Sequence, residues 1–356
     1  MAGVMRAELH TAGERVELRC AVPWIARVLA EGAAGQLFTE DPLPPPDVRV
    51  TVESSSAAFD VTGWRVLTRG AWHRSGQVIM RDACSSGLDL LVTSADPTLD
   101  IVARWRPPAA GRAAAALLRA RARLLTRAVL MQYPALWRGQ QRGRAPLHAS
   151  VFGTGGKTVL LAGPGGVGKS TLVHAELAHG AMATCDNLCV SDGRFAWGLV
   201  EPLRVPAARV GHAGRRAPHG RREVAWPARA DRLAPDQLIV LVRGDTGTPA
   251  VSVCDPAEAA RYLTAGTYMA GELRRYWAFA ATLALGTGTG ASHPAVTETA
   301  AALSARLPCV QVVGGEQTWP DGSRWLRSSP GSWPARAAWR CAARSRSTRT
   351  AMRPSS

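Results

Sequence analysis

Residues 163–170 read GPGGVGKS and are followed at once by Thr171. Glycine at four of eight positions, closed by a lysine and two hydroxyls, matches G-x-x-x-x-G-K-[ST], a backbone able to wrap an anion. In such a loop the segment Gly163, Pro164, Gly165, Gly166, Val167 and Gly168 turns amide N–H groups inward toward phosphate oxygens. Lys169 supplies a point charge at the β/γ-phosphates, Ser170 a ligand for Mg²⁺, and Thr171 closes the first helical turn near the α-phosphate. Of 43 basic residues only Lys157 and Lys169 are lysines, so the ammonium at this position is not what the composition supplies by default.

Three further positions carry groups that phosphate chemistry could use. Asp186 falls after the helix that follows the loop, where a carboxylate can hold Mg²⁺ through water or accept a proton from an attacking hydroxyl; an aspartate satisfied at a strand end is the bland alternative. His148, at the head of a hairpin leading into the loop, could donate to a transferred phosphoryl group or tune Asp186, or be a plain turn histidine. Glu201 and Arg204 are candidates for a second metal contact and a phosphate contact; read blandly, they are surface residues beside Pro202. Cys185 and Cys189 lack further ligands and read as buried thiols, and His174 and His179 read as structural.

The loop needs a strand before it and a helix after it. Thr158–Ala162 (TVLLA) is a short apolar run, and STLVHAELAHG begins a helical pattern, so the glycines sit at a helix N-terminus where unpaired amides favour an anion. Gly153–Lys157 predicts a hairpin into that strand. Residues 183–190 predict one strand carrying Asp186, and Asp192–Gly193 a turn into a return strand over 195–204. QLIVLVR at 237–243 is apolar throughout and predicts a strand covered on both faces. Helices are expected at 256–263, 268–285 and 294–305, and the GTGTG run at 286–290 reads as a helix-ending loop.

Upstream, short alternating runs within residues 1 to about 105, separated by PLPPPD, RSG, SSG and ADP, predict an antiparallel meander with Trp64, Trp72 and Trp105 in its core. One amphipathic helix is expected over 111–131, with Leu117, Leu118, Leu124, Leu125 and Val129 as its packed stripe, and residues 138–144 as a linker. The resulting division is a β-rich N-terminal domain with that helix (1–140), a loop-bearing domain (145–315) and an arginine-rich disordered tail (316–356).

The net charge of +16 raises the question of nucleic acid. Eight arginines lie in residues 322–356 without an acid, and eight more in residues 204–232, so the excess gathers in a tail and a loop, the latter expected to lack a fixed conformation. Specific nucleic-acid binding is not expected. No apolar stretch reaches membrane-spanning length, and seven scattered cysteines without a C-x-x-C pair suit reduced thiols, so a cytoplasmic chain is expected.

The run LHASVFGTGGKTVLLAGPGGVGKSTLVHAELAHGAMATCD, Leu147 to Asp186, resembles the catalytic core of bacterial HPr kinase/phosphorylases and their kinase-like relatives. His148–Ala149 matches that family's histidine element, GPGGVGKS its loop and Cys185–Asp186–Asn187 its acidic element, where Asn187 replaces a second aspartate. The family's arginine-glycine segment for the phosphorylase reaction is not recognisable. The resemblance spans about residues 145–312 and implies a P-loop domain with a phosphoenolpyruvate carboxykinase-like mixed sheet; with the β-rich N-terminal domain, which the resemblance does not place, and the C-terminal helices read from the pattern, the expected fold class is α/β. It implies an ATP- and Mg²⁺-dependent kinase with Asp186 as base, His148 and Lys169 beside it, and serine of a protein or peptide as acceptor. The arginine-rich loop would suit an acidic substrate, and a homo-oligomer is compatible. A small-molecule kinase and a nucleotide-gated regulator without turnover are the alternatives. An ordinary P-loop NTPase would need Asp245 as its metal-binding acid.

Overall fold

A computed structural model describes residues 5–38, 45–207, 214–217, 220–227, 229–244 and 249–314. The expected tail at 316–356 and Asp245 lie outside the described residues. The chain is mixed α/β, with four sheets among the described residues.

The eight-stranded N-terminal sheet runs in the order Met5–Thr11, Glu14–Cys20, Val48–Glu53, Leu99–Trp105, Leu88–Ser94, Gln77–Met80, Ala71–Arg74, Arg65–Thr68. It is not a simple meander. Val48–Glu53 pairs parallel with both neighbours, because the helix Pro23–Gly32 carries the chain back across the sheet before that strand begins. Trp64, Trp72 and Trp105 are only half-buried; aliphatic residues such as Leu18, Val50, Leu90 and Ile101 fill the core instead.

The single helix expected over 111–131 is broken. Ala109–Leu117 and Arg119–Arg127 meet at Leu118, whose backbone leaves the helical region (φ −105°, ψ 52°). Leu117 and Leu118 are exposed, whereas Leu125 and Val129 are buried, so only the C-terminal part of the stripe packs. The chain then passes through a wide π-type turn, Ala128–Gln132, into the helix Tyr133–Gln141. That helix occupies part of the expected linker, and it is anchored by Trp137, which is fully buried.

The second large sheet has six strands in the order Met182–Cys185, Ser150–Thr154, Lys157–Ala162, Gln237–Arg243, Cys309–Gly314, Ala250–Val253. Gln237–Arg243 is central and pairs parallel on both sides. The strand period of two sends Val159 and Leu161 to one face, against Leu172 and Val173 of the helix Lys169–Leu177. Leu160 and Ala162 go to the other, against Leu263 of Pro256–Met269 and Leu303 of Val296–Arg306. Both faces are therefore covered, which is what an unbroken apolar strand requires. Pro256–Met269 runs further than expected and Tyr276–Thr287 starts later, with the turn Ala270–Arg275 between them.

Residues 183–190 do not form one strand. Met182–Cys185 ends in the six-stranded sheet and Cys189–Ser191 belongs to a four-stranded one, with Asp186, Asn187 and Leu188 crossing between. The hairpin strand makes the same move: Ala145–Leu147 lies in the four-stranded sheet and Ser150–Thr154 in the six-stranded one, with His148 and Ala149 between. The two crossings run side by side, since Val151 pairs with Cys185 and Leu147 with Cys189. The expected return strand is likewise divided, into Ala196–Gly198 and Leu203–Pro206.

The arginine-rich segment is not structureless where it is described. Leu203–Pro206, Arg221–Val224 and Arg215–Ala217 make a small antiparallel sheet. Its charge is partly neutralised: Arg215 pairs with Glu31 at 2.7 Å and with Glu223, which Arg127 also binds at 3.1 Å. Backbone ladders together with half-buried carboxylates give this segment the fixed conformation that composition alone argues against.

Candidate active site

Gly163 ends its strand at φ +148°, and a Cβ there would lie 2.8 Å from the Leu241 carbonyl oxygen, so the close approach of loop and central strand requires glycine. Val167 is buried in the core and anchors the loop. Gly163 and Val167 do not line the cleft; Pro164, Gly165, Gly166, Gly168, Lys169, Ser170 and Thr171 do. Arg243 donates to the Gly166 carbonyl at 3.0 Å and ties the outer loop to the sheet.

The cleft has a volume of about 790 Å³ and brings His148, Asp186, Glu201 and Arg204 together with the loop. Lys169 is buried, and its Nζ donates to the carbonyls of Gly163 (2.8 Å) and Pro164 (3.1 Å). Burial lowers its pKa to about 8, against the opposing pull of Glu272 and Asp186. An arriving anion would replace carbonyl dipoles with full charge and restore its proton affinity.

Asp186 is buried where its strand leaves the sheet, and the lost ladder is repaired by Ser150, whose hydroxyl donates to the Asp186 carbonyl at 2.6 Å. Burial raises the Asp186 carboxyl above the usual aspartate range; Arg204, a hydrogen bond from Ser170 and the charge of Lys169 oppose the rise. The hydroxyl expected to ligate a metal thus lines the same cleft as the expected acid.

Glu201 and Arg204 are not surface residues. Glu201 is 5% exposed, Arg204 bonds it at 3.1 Å, and Arg204 also reaches Glu272 at 3.4 Å. Burial raises Glu201 to about 7, with Arg204 opposing and Asp186 and Glu272 adding to the rise. Glu272 is held below the usual range by Arg204 despite burial. Sequence reasoning missed Glu272, which sits in the turn between the helices Pro256–Met269 and Tyr276–Thr287. Its one sequence signal was isolation: no other acid lies between Glu258 and Glu298.

His148 is buried, and its ring nitrogens meet the Gly266 carbonyl and Asn187 Oδ1, each at 3.1 Å. Burial and the Lys169 charge lower its pKa to about 4. A neutral ring donates from one nitrogen only, so the contact with Asn187 is completed by an amide that turns its NH₂ toward Nε2. The histidine's hydrogen bond goes to Asn187 and not to Asp186. Cys185 and Cys189 are buried thiols on two different sheets.

The site can be tested for the groups its pattern implies. Glu201 Oε1 is buried without a hydrogen-bond partner, and the carboxylates of Asp186, Glu201 and Glu272 line one cleft with Lys169. Hard oxygen donors fit Mg²⁺, and the amide loop fits phosphate. Among the described residues no three acid, histidine or cysteine side chains form a ready metal cage, but Mg²⁺ is commonly held by one or two carboxylates plus phosphate oxygens.

The fold and site together define an α/β chain with a glycine-loop cleft rimmed by acids and by the cations Lys169, Arg204 and Arg221. No family model and no curated protein matches it. Among solved structures it is similar to an Hpr(Ser) kinase/phosphatase from Coxiella burnetii, at 18% identity over 31% of this chain and 77% of that one, with a TM-score of 0.22. A likeness of that size carries no weight for arrangement or chemistry. No helix among the described residues is long and apolar enough to cross a membrane.

Proposed function

We propose that this chain is an ATP- and Mg²⁺-dependent kinase that phosphorylates a hydroxyl, with serine of a protein or peptide as the acceptor class. The observation that carries the reading is the buried Asp186 carboxyl, which shares one cleft with Lys169 and Ser170 of the glycine loop. Bound Mg–ATP would supply an activated γ-phosphoryl group with part of its charge neutralised. Lys169 and the loop amides would bind the β/γ-phosphates, and Ser170, Asp186 and Glu201 would hold the cation. Asp186, with a raised pKa, is suited to take the proton of the acceptor hydroxyl as its oxygen attacks phosphorus. Arg204, held between Glu201 and Glu272, could turn toward the transferring group, and His148 would fix Asn187 beside them.

Transfer of labelled γ-phosphate to serine-containing peptides tests this. Asp186→Asn is expected to lower transfer by roughly a hundredfold or more while ATP affinity stays within a few-fold. Equal loss of binding and transfer would make Asp186 a metal ligand only. The second reading, a nucleotide-gated regulator, is favoured by one observation: Asn187 occupies the place of a second acid. ATP binding with no transfer to any peptide or small hydroxyl compound would select it.

A further inference from the structure

A second cavity of about 260 Å³ lies beside the cleft, and Glu201, Arg204 and Glu272 line both. Its other wall comes from the N-terminal half: Leu124, Leu125 and Met131 give it an apolar lining, with Arg121 and Arg275 among its polar groups. The charges in it are unevenly satisfied. Glu223 is taken by Arg127 and Arg215, and Glu201 and Glu272 by Arg204. Arg127 is further used by the Val28 carbonyl. Arg121 and Arg275, in contrast, pair with no carboxylate among the described residues.

We infer that this cavity is the acceptor subsite and receives a peptide residue bearing a carboxylate next to the hydroxyl to be phosphorylated; the inference rests on the kinase reading above. Position is the first argument. The cavity adjoins the cleft at Glu201, Arg204 and Glu272, which line both, and in-line transfer needs the acceptor on the far side of the γ-phosphorus from the ADP leaving group. Size is the second, because the cavity admits side chains and not a second nucleotide. Charge is the third: the acids already have arginine partners, so the unspent charge is cationic, and guanidinium forks match carboxylates. The apolar lining would take the methylene part of the ligand.

The test titrates two pools of fluorescein-labelled, serine-centred hexapeptides against the full chain with ADP and Mg²⁺. One pool is flanked by Asp/Glu, the other by Asn/Gln. The acidic pool is expected to bind the parent roughly tenfold more tightly, and the double variant Arg121→Gln/Arg275→Gln to lose that margin. Met131→Trp, which fills the cavity, should weaken the acidic pool with ADP affinity unchanged. Thermal melting of each variant verifies that it folds, and the double variant, changed only at partly exposed positions, serves if Met131→Trp does not. Equal binding of the two pools, or acidic binding that survives both variants, overturns the inference. Phosphate incorporation on the same pools separates the two claims: preferential acidic binding without transfer upholds the cavity's preference and removes the kinase reading, while transfer without acidic preference removes the subsite alone.

Discussion

Glu201 ties the chemistry of single residues to pH. Its carboxyl titrates near 7 in the folded chain against a reference of 4.5, so the fold binds this proton more tightly than the unfolded chain does. That contribution favours folding fully below about pH 4.5 and is lost as pH rises toward 7. Glu14, raised by burial to about 7, acts in the same direction. The ligand-free melting temperature is therefore expected to fall between about pH 5 and 7.5. Glu201→Gln should make that fall shallower, with Glu14 and the raised Asp186 still adding to it and His148, lowered to about 4, opposing it, and saturating Mg–ATP should flatten it as well. An unaltered slope in Glu201→Gln would show that the carboxyl is not strained by its burial. The glycine loop was legible because its chemistry lies in nine contiguous residues, 163–171. Glu272 was not, because nothing local announces a turn acid whose partner, Arg204, arrives through tertiary packing.

Paired sheet crossings are what bring His148 and Asp186 to the cleft. The apolar pattern of residues 183–190 signals extended chain but not the switch of sheet at Asp186, because a period of two is the same on either side of it. Gly198 guards this arrangement. Its N–H donates to Thr184 Oγ1 at 2.7 Å, and an added Cβ would run into the Thr184 carbonyl. Gly198→Ala is expected to destabilise by at least about 2 kcal/mol and to weaken nucleotide binding, since the strand ahead of Asp186 must move. Chemical denaturation and nucleotide titration check both, and a variant with parent stability would mean the two strands part freely. The arginine-rich sheet shows the converse limit of sequence reading: composition predicts solvation, but Glu31, distant in sequence, joins the segment's own Glu223 in ordering it.

One apolar cluster extends from the N-terminal sheet into the loop-bearing half, whose six-stranded sheet is packed by two further clusters. It joins Leu18, Val50 and Ile101 of the N-terminal sheet to Trp137, to Val190 and Leu199 near the crossings, and to Phe279 of the helix Tyr276–Thr287. The strand and helix patterns along the chain were readable, but this shared core was not, because the amphipathic stripe fixes which residues pack and says little about what they pack on. Trp137→Ala is expected to cost about 3–5 kcal/mol and to shift one calorimetric transition as a unit. Two transitions, with only one displaced, would show that the halves unfold independently. The central claim, that the cleft is a nucleotide site, is tested most directly by calorimetric titration of Mg–ATP into the parent and Lys169→Ala. The account predicts binding to the parent that weakens by at least roughly tenfold in the variant, because the ammonium at the β/γ-phosphates is gone while the amide loop remains. No heat of binding in the parent, or equal affinity in the two chains, would contradict it.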